Sequence, residues 1–169
     1  MHKRTGTLLL LFGLLAVVLQ GCYSFSGASL PEHLHTVAVP LFDDTSRAGI
    51  AEYRERCTRS LINSIEAQSE LVIEADPSRA DAVLTGAIIS YADEPSQLGS
   101  ATERAVTNRI TVVLKADFDD RVTREKLFSQ TFVGFADYTA GSYAAQQGAI
   151  DSAIDMAVEE LFNRMISNW

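Results

Sequence analysis

Residues 105–118 read AVTNRITVVLKADF, and this stretch decides the fold because two kinds of side chain alternate along it. A period of two places the two sets on opposite faces of a β-strand. One face carries the apolar set Ile110, Val112, Leu114, Ala116 and Phe118. The other face carries Arg109, Thr111, Val113, Lys115 and Asp117. The alternation therefore predicts a half-buried strand.

The segments on either side of this strand predict further strands. Residues 119–125 form a charged turn, after which KLFSQTFVGFADY at residues 126–138 returns as the second arm of a long hairpin. Upstream, ADAVLTGAIISY at residues 80–91 is apolar on both faces, which is typical of a central strand. Gly86 within it indicates a bulge or a close backbone approach. We expect this strand to stop at Asp93-Glu94-Pro95 and residues 96–105 to form an exposed loop or the rim of a long hairpin.

The rest of the chain supplies a first strand and two amphipathic helices. TVAVPLF at residues 36–42 predicts the first strand, with turn or cap chemistry at Asp43-Asp44, and a short strand is expected at residues 71–74. Apolar residues recur at three- and four-residue steps in residues 49–69 and again in residues 143–167, which predicts two helices. Two such helices covering one face of a mixed sheet make a two-layer α+β sandwich.

The amino-terminal stretch predicts an export signal. Residues 8–22 read LLLLFGLLAVVLQGC and follow Lys3 and Arg4. The apolar run of 12 residues would span about 18 Å as a helix, well short of the ~30 Å hydrocarbon core of a bilayer. A cationic start and a short apolar run are typical of a signal peptide.

The end of this run, Leu19-Gln20-Gly21-Cys22, resembles a bacterial lipobox. That resemblance implies cleavage before Cys22, a thioether to diacylglycerol on its sulfur, and an N-acyl chain such as palmitate on the new amino terminus. A plain secretory peptide with an incidental cysteine is the alternative. The predicted division is a signal peptide at residues 1–21, a lipidated tether at 22–35 and a domain at 36–169.

Charge limits the partners of the protein. The chain has 14 basic and 22 acidic residues, and loss of Lys3 and Arg4 with the leader leaves a net charge of about −10. Such a charge argues against general binding to nucleic acid or to an anionic membrane surface. Membrane attachment is therefore expected through acyl chains alone, of which two or more hold a protein stably.

The residue types needed for catalysis are sparse. Cys57 is expected to be a small buried side chain rather than a nucleophile. His33 and His35 are the last histidines, so surface positions are favoured over a two-ligand metal site. The adjacent acids at residues 43–44 and 119–120 suit turns better than acid–base or metal chemistry. A binding protein without catalytic residues, metal or cofactor is predicted.

Five stretches in matching order resemble the LptE family, and together they extend over the whole predicted mature chain. They are YSFSGAS at 23–29, TVAVPLF at 36–42, AVTNRITVVLKADF at 105–118, FADY at 135–138 and LFNRMISNW at 161–169. The likeness is greatest to the Bacteroidota and Chlorobi branch. The resemblance implies a non-enzymatic outer-membrane lipoprotein that plugs and helps assemble the LptD β-barrel and assists lipopolysaccharide delivery to the outer leaflet. Tyr23, in place of the Asp that retains lipoproteins at the inner membrane, agrees with a periplasm-facing position at the outer membrane.

Candidate lipopolysaccharide contacts come from the residues themselves, because no family position matches them one by one. Arg104 and Arg109 flank the start of the long hairpin, and Lys115 shares a strand face with Arg109. Arginine suits phosphate, although ordinary surface salt bridges are the alternative. Three arginines at positions 54, 56 and 59 are expected to form a solvated helix face with nearby glutamates.

Two other function classes stay open at this stage. Outer-membrane lipoproteins that activate peptidoglycan synthases have a similar α/β layout, but usually with a longer tether. A periplasmic hydrolase would need a catalytic group of residues that this sequence lacks.

Overall fold

A computed structural model describes residues 30–48, 51–98 and 105–166. The predicted signal peptide, the lipidation site Cys22, the candidate ligand Arg104 and the terminal Trp169 lie outside these ranges. The elements in chain order are β1 Thr36–Ala38, β2 Asp43–Asp44, α1 Ala51–Gln68, β3 Val72–Ile73, β4 Ala82–Leu98, β5 Ala105–Asp120, β6 Glu125–Thr139 and α2 Tyr143–Ile166.

The strands of the described residues form one mixed sheet in the order β3-β1-β4-β5-β6. The short strands β1 and β2 both run parallel to β4, each beside a different part of it. β4, β5 and β6 are long and antiparallel, so the predicted hairpin is confirmed and β4 extends it by a third strand. β4 lies between β1 and β5, which confirms that it is central.

Both helices pack on the same face of the sheet, so the predicted two-layer α+β architecture is confirmed. The apolar set of β5 is fully buried beneath them. The buried stripe of α1 is Tyr53, Cys57, Leu61 and Ile65, and that of α2 includes Ile150, Ile154, Val158, Leu161 and Met165. These side chains form one core. They lie on one side of each helix because the apolar residues recur at steps of three and four.

Two glycines allow close packing in this core. A β-carbon at Gly134 of β6 would overlap the backbone carbonyl oxygen of Ala153 in α2, so the helix backbone rests directly on this strand. A β-carbon at Gly86 would overlap the Phe42 ring, which makes Gly86 the predicted close approach rather than a bulge. The ladder irregularity in that part of β4 lies between Ile88 and Ser90.

The predicted end of β4 at Asp93-Glu94-Pro95 is wrong. The strand continues to Leu98, because β5 offers a ladder that pairs Pro95 with Asn108. Proline lacks an N–H and is tolerated in strands near irregularities, and the register shifts directly after Pro95. Residues 96–98 therefore belong to a strand, at the rim of the long antiparallel β4–β5 pair, which the sequence leaves open as the alternative to an exposed loop.

The prediction of one strand over residues 36–42 is also wrong, because only residues 36–38 of this segment form a strand. β1 ends at Ala38, two residues before Pro40, and Asp43–Asp44 form the separate strand β2. The expected turn chemistry is still present, since Oδ1 of Asp44 accepts a hydrogen bond of 2.8 Å from the Ser46 amide.

Among the described residues, no helix is long and apolar enough to cross a membrane.

Candidate functional site

The sheet face opposite the helices, called here the helix-free face, carries the candidate ligand residues that the structure describes. On β5 it contains Arg109, Thr111, Val113, Lys115 and Asp117, opposite Asp137, Phe135, Val133, Thr131 and Ser129 of β6. Charged side chains lie toward the two ends, and small or β-branched residues fill the middle. The face is therefore mixed in character and differs from a continuous basic patch.

Arg109 is engaged within the protein. Its Nε donates to Oδ1 of Asp137 at 2.7 Å, and its Nη2 donates to Oδ2 at 2.8 Å. The guanidinium carbon lies 4.7 Å from the centre of the Phe135 ring. The hydrogen bond from Arg109 lowers the pKa of Asp137, and the same bond raises the pKa of Arg109. Arg109 thus forms the ordinary surface salt bridge that the sequence left as the alternative.

Lys115 differs from Arg109 in its surroundings. It is exposed and forms no salt bridge with any residue in the described ranges. Six residues along a strand separate it from Arg109, which corresponds to about 20 Å. The two candidates therefore share a face without forming one anion-binding cluster, and Lys115 is the one available to an external anion.

At the end of β5, Asp120 serves a turn, as predicted for the acidic pair at residues 119–120, whereas Asp119 lies 3.8 Å from Nζ of Lys126. Oδ1 of Asp120 accepts hydrogen bonds from the amides of Val122 and Thr123 at 2.8 and 2.9 Å. Its Oδ2 lies 2.5 Å from Nε2 of His33, a partner that the sequence did not reveal. Asp120 is only 2% exposed, and burial by itself would raise its pKa. The hydrogen bonds outweigh burial and hold the pKa of Asp120 below its ordinary value.

A second polar cluster, missed from the sequence, surrounds Asp93 at the opposite end of the sheet. Its carboxylate accepts hydrogen bonds from Tyr138 at 2.7 Å, Asn108 at 3.0 Å and Gln146 at 2.7 Å. Burial alone would raise the pKa of Asp93, but these donors lower it. Since Gln146 lies in the first turn of α2, the cluster ties the start of that helix to all three long strands. The sequence predicts only the end of a strand at Asp93, because the hydrogen-bond donors to its carboxylate are distant in sequence.

Cys57 is fully buried on α1, as predicted. Burial raises the pKa of its thiol to about 12, so the thiolate form needed for nucleophilic attack is scarce at neutral pH.

Two of the three arginines of α1 pair with glutamates of the same helix, as predicted for a solvated face, whereas Nε of Arg54 donates to the carbonyl oxygen of Phe42 at 2.6 Å. Arg56 lies 2.9 Å from Glu52, and Arg59 lies 3.9 Å from Glu55. Arg56 also contacts Asp151 of α2, so one of these pairs joins the two helices.

Within residues 30–48, 51–98 and 105–166, no group of three or more His, Cys, Asp or Glu side chains could hold a metal ion. A cavity of about 560 Å³ lies between the segment before β1 and the carboxyl ends of both helices. Its lining includes Leu30, Leu34, Leu71 and Ile166 together with His35 and Glu70.

Several solved bacterial proteins share this fold. Protein XCC0632 from Xanthomonas campestris aligns with a TM-score of 0.62 at 13% identity, covering 83% of this chain and 87% of that one. Lipoprotein B from Nitrosomonas europaea aligns at 0.56 and 14% identity, covering 82% and 84%. PelC from Paraburkholderia phytofirmans, solved as a dodecamer, aligns at 0.54 and 14% identity, covering 84% and 96%. At these identities the likeness establishes the fold alone.

The fold thus defines a class of small two-layer domains that other bacterial lipoproteins share. Comparison with curated protein sequences found no match. The sequence model of the LptE lipopolysaccharide-assembly family matches residues 34–165, which include the whole sheet and nearly all of both helices. The chain belongs to the LptE family, and is accordingly an LptE-like outer-membrane lipoprotein of a non-catalytic assembly family.

Proposed function

We propose that this protein is the lipid-anchored plug of an LptD-type outer-membrane β-barrel, and that it helps assemble the barrel and deliver lipopolysaccharide to the outer leaflet. The observation that carries the proposal is the family match across residues 34–165. The match extends over both layers of the domain. This extent supports a plug, because a plug fills the barrel with the whole domain and not with one local site.

The proposed anchor is Cys22, carrying diacylglycerol on sulfur and an acyl chain on its amino group. The described chain begins at Leu30, eight residues later. A fully extended chain of that length spans at most about 28 Å. The anchor would therefore hold the domain next to the inner leaflet of the outer membrane, on the periplasmic side.

The outer surface of the domain suits a polar lumen. Barrels of about 26 strands enclose a polar interior wide enough for a folded domain. The exposed positions of α1 carry Glu52, Glu55 and Arg59, and the helix-free face has charged pairs toward both ends. A plug with this surface can stay hydrated inside the barrel, while the apolar stripes of both helices and of β5 remain in its own core.

The proposal is tested by purifying the full-length lipoprotein with an affinity tag from its native outer membrane. We expect a stoichiometric β-barrel protein of LptD size to co-purify, and lipopolysaccharide to accompany the complex. A Cys22→Ala variant serves as the control, because it lacks the lipidation site and should lose both. Recovery of a peptidoglycan synthase, or of no barrel, would contradict the proposal.

A further inference from the structure

β6 is the last strand of the sheet. No described strand pairs with the outer backbone edge of its residues 129–136, which we call the β6 edge. Among the described residues, β6 pairs with β5 alone. No backbone group of residues 129–136 is hydrogen-bonded outside that ladder. In an antiparallel ladder every second residue directs its N–H and C=O away from its partner strand. The β6 edge thus presents a row of unused donors and acceptors.

The β6 edge lacks the features that usually protect such strands. Natural edges carry charges, prolines, bulges or short strands. Residues 128–136 read FSQTFVGFA, with no charged residue and no proline, and their register with β5 is regular; the irregularity of this ladder lies just before them, at Leu127. The opposite side of the sheet is different, because β3 has only two residues, and the part of β4 beyond its pairing with β2 carries Asp93, Glu94 and Pro95 and has register shifts. Among the described strands, β6 is therefore the one with a long, regular and neutral edge.

The side chains along the β6 edge favour an apolar neighbour on the helix-free face. Val133 is 43% exposed and Phe135 is 44% exposed, and Thr131 precedes them on the same face. A strand added beside β6 would place its own side chains about 5 Å from these three. Alternate apolar or β-branched residues in that strand would cover the two exposed hydrophobic side chains.

The helix above β6 limits which strand can bind. The backbone of α2 rests directly on Gly134, so the helix lies over β6 itself. Packed helices need about 8–10 Å between axes, whereas paired strands are about 4.8 Å apart. An antiparallel two-fold pairing of two copies through β6 would force their α2 helices together. The geometry favours an extended segment that carries no helix on that face.

We propose that the β6 edge binds an extended, neutral segment of a partner polypeptide by strand addition, with apolar side chains beside Val133 and Phe135. Main-chain hydrogen bonds would provide affinity, and the alternate side chains would provide register. The inference rests on the proposed function only for the identity of the partner, which is then the barrel polypeptide.

The first test places a photo-crosslinking residue, p-benzoylphenylalanine, at Gln130, Thr131 or Val133 of the full-length lipoprotein in its native outer membrane. Cross-linked peptides are then sequenced by mass spectrometry. We expect all three positions to reach one short stretch of the barrel chain, with the cross-linked residue moving steadily as the probe moves along β6. The control position is Ser90 of β4, which lies in the same cross-strand row as Val133 but two strands from the edge, about 10 Å away.

The second test compares two lysine substitutions on the same face. Val133→Lys puts a charge on the β6 edge, and Ser90→Lys puts the same charge away from it. We expect Val133→Lys to lower the recovered barrel at least tenfold and Ser90→Lys to leave it unchanged, with both variants retaining the wild-type circular dichroism spectrum. Equal losses would overturn the inference, because they would indicate binding through the whole face.

Other outcomes separate this inference from the proposed function. Cross-links to a second copy of the lipoprotein, or none from β6 while the barrel still co-purifies, would overturn strand addition and leave the barrel association standing. An ordered series of cross-links to a different chain would support strand addition and overturn the barrel as its partner.

Discussion

Oδ2 of Asp120, in the turn after β5, lies 2.5 Å from Nε2 of His33, in the segment before β1, although 87 positions separate the two residues. The same carboxylate accepts two backbone hydrogen bonds within its own turn. Asp120 therefore connects the chain that leads from the proposed anchor to the end of the long hairpin.

Replacing Asp120 tests this connection. We expect Asp120→Ala to lower the free energy of unfolding by about 2 kcal/mol, because the amides of Val122 and Thr123 and the His33 ring lose their shared, buried partner. Asp120→Asn should cost less, since its Oδ1 can still accept both bonds. Urea denaturation followed by circular dichroism measures both, and His35→Ala is the control because the His35 ring makes no contact with Asp120. A loss as large in the control would contradict the assignment.

The same carboxylate predicts how stability changes with pH. The pKa of Asp120 in the folded protein is lower than its ordinary value of 3.8, so its contribution is present above about pH 4 and lost as the pH falls further. The difference in unfolding free energy between wild type and Asp120→Asn should shrink as the pH is lowered from 7 to about 3. A difference that is constant over this range would show that the carboxylate charge does not matter.

The contact between β6 and α2 predicts opposite effects for two glycine substitutions. Gly134→Ala should destabilise the protein by about 3 kcal/mol, because the new β-carbon meets the α2 backbone. Gly148→Ala should stabilise it by about 0.5–1 kcal/mol, since nothing lies within 4 Å and alanine favours the helix. Thermal unfolding of both variants is the measurement. A mild effect at Gly134 would mean that α2 does not rest on β6.

The Asp93 cluster predicts a local effect at the start of α2. Asp93→Ala leaves Tyr138, Asn108 and Gln146 without their shared acceptor, which should cost about 2 kcal/mol. Amide hydrogen exchange of residues 143–149 should accelerate more than that of the rest of the helix. Glu94→Ala, at the exposed neighbouring position, should leave both properties unchanged. Uniform acceleration throughout α2 would argue against a local role.

The Cys57 thiol should react very slowly with alkylating reagents in the folded protein. With its thiol pKa at about 12 and its side chain buried, alkylation by iodoacetamide at pH 8 should be at least a hundredfold slower than in guanidinium chloride. Mass spectrometry of the reaction over time measures the rate. Rapid labelling without denaturant would show that α1 opens readily.

The candidate lipopolysaccharide contacts are predicted to contribute unequally. Lys115→Ala should weaken lipopolysaccharide binding by about three- to tenfold, because this exposed lysine forms no salt bridge with any described residue and can contact phosphate. Arg109→Ala should have a smaller effect, since Asp137 already occupies its guanidinium group. Lys126→Ala is the matched control, because Asp117 holds this lysine at 2.6 Å. Arg104→Ala completes the set, and unchanged affinity in all variants would exclude these positions.

Local periodicity in the sequence was enough to predict the strand at residues 105–118 and the two helices. The alternation in residues 105–118 and the two helical stripes each depend on neighbours within a few positions, and the structure contains all three. Cys57, in one of those stripes, was correctly predicted to be buried for the same reason. The sequence also predicted turn chemistry at Asp44 and Asp120, because short polar side chains bond to backbone amides two or three residues away.

Pairings across the chain could not be predicted in this way. The extension of β4 past Pro95, the bond from His33 to Asp120 and the cluster around Asp93 all join residues that are distant in sequence. The sequence by itself therefore determined the type of each main element and the two-layer class, and it predicts the lipobox. Only the tertiary structure decided that Arg109 pairs with Asp137, that Lys115 forms no salt bridge with a described residue and that no described strand pairs with the outer edge of β6. The physical reason is that side-chain periodicity is local, whereas strand order and ion pairing depend on the path of the whole chain.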